Sequence, residues 1–510
     1  MALNGEFCCE MYFCRARKQR ASKSNSDALL HCTLLDLPVI SFSLRMSLIC
    51  LPFCILADLP SYSETPTTVM TSNGTTPHQD HKSSNITGEH PPPPPQPEQN
   101  IAPTYALSTL SVHADDAANT TTDVAPALRP STTFRYPSDP DKLNPVYDED
   151  IPSWKPGDAA PADSFVYSRV FAPTGNRLEL VLGSVLNAPV LTYSSGLSAF
   201  HALLVWLKPK VVAIGQGYHG CHGVLKIYQK LTNCKIVDLF DESTWDAAGL
   251  GAGDVVHLET PVNPTGLAYS ISHFASLAHA RGALLTLDAT FAPPPLQDPW
   301  AHGADFVMHS GTKYFGGHSD MLCGVVAIGR HREGWEKDYW GMVGERVFLG
   351  AVMGSLESWL GVRSMRTFEL RVVRQSENCT RIVQFLDGCV AGRETGGEAE
   401  KVKKAVKSIS HASLQTSEMH WLKKQMPHGY GPVFSMTCHS AEQAKRLPSK
   451  LHLFHHATSL GGVESLIEWR RMSDDTVEPD VLRVSIGVES WEDLREDLVR
   501  GFAALVGEGR

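Results

Sequence analysis

Between about residues 190 and 330, short runs of apolar residues alternate with longer stretches whose apolar positions recur at helical spacing. "APVLTY", "KVVAIG", "CKIVDL", "DVVHLE", "ALLTLD" and "DFVMHS" have the length and near-continuous apolar character of buried strands. "SSGLSAFHALLVWL" predicts a helix that stops at Lys208-Pro209, and "SISHFASLAHARG" a helix closed by Gly282 at its C-terminal cap. Strands that are apolar on both faces and alternate with helices predict a parallel sheet covered on both sides, an α/β fold. From Leu349 onward the pattern changes. A long helical stretch, "GSLESWLGVRSMRTFELRVVRQSENCTRIVQFL", precedes two strand-like pieces, "GPVFSMT" and "VLRVSIGV", and an amphipathic final helix, "WEDLREDLVRGFAALV". This predicts a smaller α/β unit over 349–510.

Ahead of this body the chain is different in kind. Residues 61 to 103 are rich in Ser, Thr, Asn, His and Pro and include "PPPPPQPEQ", so they bury too little apolar surface to offset the entropy of ordering. Residues 1–103 are therefore expected to be a disordered, low-complexity extension. Within it, Leu29 to Ala57 is apolar and follows the basic "RARKQR", a candidate targeting segment. Its longest uncharged run is the 12 residues Met46 to Ala57, too short to span a bilayer.

A net charge of −10, with no basic cluster interleaved with aromatics, argues against nucleic-acid binding. Six of the 12 cysteines lie in the first 54 residues, and the rest are scattered singly with no C-x-x-C pair, which argues against a zinc site and for reduced thiols. No membrane span and no metal are expected, and the scattered thiols suit the cytoplasm.

Candidate chemistry falls where the predicted strands end, the side on which ligands of such sheets bind. "MHSGTKYFGGHSD" places Lys313 among Ser310, Thr312 and the glycines 311, 316 and 317. A lysine that must lose its proton and meet a phosphorylated aldehyde has use for small neighbours and hydroxyls. A pyridoxal 5′-phosphate site needs an amine for the Schiff base, an acid for the ring nitrogen, a phosphate cradle and an aromatic against the ring. Lys313 is the amine, and Asp288, at the end of "ALLTLD", is the acid. Ser195, Gly196 and Leu197 open a helix whose free N–H groups suit a phosphate, with Ser310 and Thr312 adding hydroxyls. Tyr218 is the aromatic. Each feature is commonplace alone: a loop lysine is usually just exposed, and Ser-Ser-Gly before a helix is an ordinary cap. Their order at successive strand ends is what carries the reading.

From about Thr109 onward the chain closely resembles the trans-sulfuration (Cys/Met metabolism) enzymes that use pyridoxal phosphate. "YSRVFAPTGNRLE", "YSSGLSAF", "HLETPVNPTG", "LDATFAPPPLQDPWAHGADFVMHSGTKYFGGHSD", "ATSLGGVESLIEW" and "LRVSIGVESWEDLREDL" carry the resemblance. It implies a large domain of the aspartate aminotransferase type, with a parallel-rich sheet, plus a smaller C-terminal α/β domain. The implied order is an N-terminal arm with an acidic, proline-rich insertion (104–165), a cofactor-binding domain (166–348) and the C-terminal domain (349–510). It also implies that Lys313 forms the Schiff base, Asp288 pairs with the ring nitrogen, Tyr218 stacks on the ring and Asn263 lies near its phenolic oxygen. Ser195, Gly196, Leu197, Ser310 and Thr312 hold the phosphate. Tyr167 and Arg169 reach the phosphate of a neighbouring subunit, Tyr167 and Tyr218 act in catalysis beside Lys313, and the active unit is a homodimer or homotetramer with shared sites. Arg483, with Ser459, binds the α-carboxylate of a sulfur amino-acid substrate.

The implied activity is cleavage of the Cβ/Cγ–S bond of cystathionine-like substrates, as in cystathionine γ-lyase. The alternative at the same site is γ-replacement, as in cystathionine γ-synthase or an O-acylhomoserine sulfhydrylase. A cofactor-binding protein without activity is the reading from a different class. The chain departs from the family pattern at His219, Cys221 and His222 after the stacking tyrosine, and at Ala289, Ala172 and Thr458. None of these removes a cofactor-holding residue.

Overall fold

The computed structural model describes residues 105–143, 155–161 and 164–507. The 1–103 extension, its candidate targeting segment and much of the acidic insertion lie outside the described residues. Seven strands form the larger sheet: β1 (Val190–Tyr193), β2 (Val211–Ile214), β3 (Lys235–Asp238), β4 (Val255–Glu259), β5 (Leu284–Asp288), β6 (Phe306–Ser310) and β7 (Gly324–Ile328). Their order is β1-β7-β6-β5-β4-β2-β3.

The sheet is parallel-rich as expected; the exception is β7, a strand not anticipated from the sequence, which runs antiparallel to both of its neighbours, β6 and β1. The reason is the connection. Residues 311 to 323 join β6 to β7 without an α-helix, and a return to parallel pairing needs a crossover, usually helical. The other pairings, β2 with β3 and β4, β4 with β5, and β5 with β6, are parallel. Six strands thus share one direction, and their carboxyl ends open on one side. β3 departs from expectation in another way: as an edge strand it leaves Lys235 and Asp238 exposed and its central residues half-buried.

The helices over the sheet start and stop for local reasons. Ser195 accepts a hydrogen bond from Ser198 N at 3.2 Å and caps helix Gly196–Leu207, which ends at Lys208 in the left-handed conformation (φ 51°) before Pro209. Helix Ile271–Ala280 ends just before Gly282, whose φ of +70° suits glycine.

The second sheet contains β8 (Val406–Ser410), β9 (Val433–Cys438), β10 (His455–His456), β11 (Leu466–Trp469) and β12 (Val481–Ser485), in the order β10-β11-β12-β9-β8. The two anticipated strands are its neighbours β9 and β12. The long helical stretch is two helices, Ser355–Met365 and Phe368–Val390. Between them the Ser364 carbonyl accepts from Thr367 N at 3.2 Å and from Arg371 Nη2 at 3.0 Å. Helix Phe368–Val390 serves two cores. Phe368 and Val372 pack with the larger sheet's core, whereas Cys379, Ile382, Val383 and Leu386 pack with that of the smaller sheet. Full burial of such side chains is worth roughly 1.5–3 kcal/mol each, so this helix fixes the smaller sheet against the strand ends of the larger one.

Candidate active site

Glu259 and Asp288 are the last residues of β4 and β5 and stand opposite each other in register, while Ser310 ends β6. Lys313 follows on the connection to β7, and that connection is held rigidly. A Cβ at Gly311 would come within 2.6 Å of Cys323 Sγ, and Gly317 (φ +63°) leaves room only for the Arg371 guanidinium. Arg371 Nη1 donates to Tyr314 O at 2.9 Å. The Thr312 hydroxyl accepts from Cys323 N (2.9 Å) and donates to Cys323 O (3.3 Å).

On this fixed backbone the Lys313 amine is mostly buried and donates to Ser459 Oγ at 2.7 Å. Burial pushes its pKa down to about 8, the Arg483 cation adds to the effect and Glu468 opposes it. Ser459 meets the lysine from a strained backbone, φ +80°, in a region that disfavours residues with a Cβ.

Asp288 is buried, and its Oδ1 accepts from Thr290 N (2.9 Å) and Thr290 Oγ1 (2.6 Å). Burial raises its pKa, and the two bonds from Thr290 work against the rise. Glu259 is raised well above the usual carboxylate range by burial and by the neighbouring Asp288. Its Oε2 accepts from Tyr218 N at 2.7 Å and its Oε1 from Asn263 N at 2.6 Å. One carboxylate therefore fixes two of the anticipated residues, Tyr218 and Asn263, at neighbouring strand ends. At the start of helix Gly196–Leu207, the N–H groups of Gly196 and Leu197 have no partner within the helix. A Cβ at Gly196 would lie 3.1 Å from Ser310 Cβ, so glycine eases the close approach of the helix start to the end of β6.

Arg483, on β12, is buried and makes three contacts. Nη1 donates to Asn263 Oδ1 (3.2 Å), and Nη2 donates to Ser459 O (2.8 Å) and pairs with Glu468 Oε2 (2.5 Å). Burial lowers the pKa of Arg483 to about 10. Burial would raise that of Glu468, but Arg483, Ser473 and Arg470 outweigh it and hold the group ionised.

Lys313, Ser459, Arg483 and Asn263 are thus joined by direct hydrogen bonds, and Glu259 adds Tyr218. Tyr167 and Arg169 are not part of this cluster. Both are exposed, and the Arg169 guanidinium lies 5.2 Å over the Tyr167 ring. Cys221 is buried behind Tyr218, and burial raises its thiol pKa strongly.

Sequence reasoning missed Thr290, Glu468, Arg470 and Asp474. For Glu468 a signal exists: "LIEW" and "VLRVS" are two apolar runs, each interrupted by a single charge of opposite sign, and Glu468 and Arg483 stand directly opposite across β11 and β12. Among the described residues no group of three or more His, Cys, Asp or Glu is placed to hold a metal ion, and no helix is long and apolar enough to cross a membrane.

Comparison with known proteins identifies the family of the chain. Residues 108–503 match the family described as "Cys/Met metabolism PLP-dependent enzyme". The chain is 32% identical to cystathionine beta-lyase of Lactococcus lactis subsp. cremoris over 352 residues, covering 66% of this chain and 87% of the relative. It is 32% identical to cystathionine gamma-synthase of Escherichia coli over 358 residues, with the same coverage of 66% and 87%. Among solved structures, that of metB from Corynebacterium glutamicum superposes with a TM-score of 0.66 at 27% identity, over 79% of this chain and 99% of that one. The chain belongs to the pyridoxal-phosphate-dependent enzymes of Cys/Met metabolism.

Proposed function

We propose that this pyridoxal-phosphate enzyme breaks the carbon–sulfur bond of cystathionine-like amino acids, with Lys313 as the cofactor-bearing and proton-moving residue. One observation carries the reading: a mostly buried amine, its pKa depressed to about 8, donates to the hydroxyl of Ser459, the same serine whose carbonyl accepts from the Arg483 guanidinium. The surrounding residues suit the cofactor. Asp288 is a buried acid with one oxygen committed to Thr290, the free N–H groups of Gly196 and Leu197 suit a phosphate, and Tyr218 offers an exposed ring face. Ser195 acts there by capping the helix start. Ser310 lines the cradle, and the Thr312 hydroxyl is available to a phosphate only by giving up its longer bond to Cys323.

When bound, the pyridinium ring supplies an electron sink for the pair left at Cα. Asp288 holds a proton at the ring nitrogen. Arg483 grips the substrate's α-carboxylate with two parallel donors and fixes which Cα bond faces the lysine. Lys313 Nζ, uncharged above about pH 8, takes the Cα proton and returns it to a carbon or to the departing sulfur. Ser459 Oγ keeps the amine aimed, and Asn263, held by Glu259, steadies Arg483.

The active unit in this reading is a homodimer or larger, in which Tyr167 and Arg169 complete the phosphate site of the neighbouring subunit. Their exposure on this chain supports it. A cytoplasmic setting fits the six free, buried cysteines of the described residues.

The test is a product profile of the purified holoenzyme. Cystathionine is expected to yield a thiol amino acid, a 2-oxo acid and ammonia, and Lys313→Ala to abolish this. Consumption of O-acetyl- or O-succinylhomoserine with cysteine, and inertness towards cystathionine, would make the enzyme a γ-replacement transferase instead.

A further inference from the structure

Next to Arg483 lies a second buried arginine to which the reaction as described assigns no part. Arg470 directly follows β11 and is 2% exposed. Its Nη1 donates to Glu468 Oε2 at 2.9 Å and to Ser473 Oγ at 3.0 Å, and its Nη2 pairs with Asp474 Oδ2 at 3.3 Å. Asp474 is held independently by Thr476, through N (3.0 Å) and Oγ1 (2.6 Å), and meets the exposed His219 at 3.6 Å. The other Glu468 oxygen, Oε1, accepts from Ser473 Oγ at 2.6 Å. Two guanidiniums therefore share one oxygen of Glu468 in a buried set of two cations and two carboxylates.

This sharing matters when a substrate arrives. In the free site Glu468 already pairs with Arg483. A substrate carboxylate that takes over Arg483 draws that cation away from Glu468, and a buried carboxylate left without a cation costs several kcal/mol in folded proteins. Arg470 removes the conflict because it holds the same oxygen from the other side. Its field also favours ionisation of Tyr218 and Glu259, which places it beside the same cluster.

We propose that Arg470 is a positioning residue for substrate capture: it retains Glu468 so that Arg483 is free to receive an α-carboxylate. The proposal rests on the assignment of Arg483 to that carboxylate.

The test compares binding of L-alanine, an amino acid without a leaving group, with that of ethylamine, the same molecule without its carboxylate. Both are followed on the holoenzyme through the cofactor absorbance. Arg470→Met is expected to weaken L-alanine by about tenfold and to leave ethylamine unchanged, with Arg470→Lys in between. If Arg470→Met does not fold, Arg470→Met/Asp474→Asn removes one charge of each sign and is expected to show the same selective loss. Equal weakening of both ligands, or of neither, would overturn the role of Arg470. Arg483→Lys separates the two levels. Should it leave the alanine-to-ethylamine ratio unchanged, the carboxylate site itself is wrong. Should it collapse the ratio while the Arg470 variants do not, only Arg470 loses its role.

Discussion

At the scale of single residues, the site depends on what burial does to an amine. Lys313 is charged in the unfolded chain up to about pH 10.4 and in the folded cofactor-free protein only up to about 8. Between these values the unfolded state binds more protons, so this residue's contribution to stability rises with pH across that window. Below it, folding bears the full cost of burying the cation, about 3 kcal/mol at 1.36 kcal/mol per pH unit. Cofactor-free Lys313→Met is therefore expected to be more stable than the wild type at pH 7, with the advantage shrinking towards pH 10. Urea unfolding at both pH values measures it, and a pH-independent difference would mean that the amine is not depressed. Ser459 offers a second check, because its hydroxyl and its backbone pull apart. Ser459→Ala and Ser459→Gly both remove the acceptor of Lys313 Nζ and are expected to lower kcat by roughly tenfold. At φ +80°, however, the glycine variant should be the more stable of the two by about 1 kcal/mol.

At the scale of elements, the proposed cofactor cradle depends on how closely strand β7 passes under the start of helix Gly196–Leu207. A Cβ at Gly324 would fall 2.0 Å from Ser195 O and 2.9 Å from Ala199 Cβ, so any larger residue pushes the helix start away from Ser310. Gly324→Val is expected to weaken pyridoxal phosphate binding by at least tenfold and to destabilise the protein by about 1–3 kcal/mol. Equilibrium dialysis and thermal unfolding report the two separately. The same strand shows where sequence reading reached its limit. β4, β5 and β6 were legible because each is a short, mostly apolar and mostly buried run whose last residue is polar, and those last residues, Glu259, Asp288 and Ser310, lie at the candidate site. β7 is just as apolar, but its direction depends on a helix-free connection rather than on its own residues. Lys313, Asp288 and the helix start at Ser195 were legible for the same reason, since each lies at a strand end or shortly after one. The Glu468–Arg470–Asp474 set was legible only through the single opposite charges of "LIEW" and "VLRVS", because Arg470 and Asp474 stand in a turn of polar composition that gives no sign of burial.

At the scale of the whole molecule, the proposed role of the exposed pair Tyr167 and Arg169 would tie activity to assembly. Within the chain, the Tyr167 backbone is bridged to Thr133 and its carbonyl accepts from Val170 N and Phe171 N, while its ring and the Arg169 guanidinium face one another at the surface. A phosphate site that takes two donors from another subunit leaves a signature that no single-chain site can imitate. Neither Lys313→Ala nor Arg169→Ala is expected to turn over substrate well when assembled alone. Mixed after reversible dissociation, half of the dimers are hybrids on statistical grounds, and each hybrid holds one site with an intact lysine and an intact arm. The mixture is therefore expected to recover about a quarter of wild-type activity through symmetric exchange, and kinetics over the reassembly time course measures it. If instead Tyr167 and Arg169 serve the site of their own chain, every site in the mixture carries one lesion, and activity stays at the level of the separate variants.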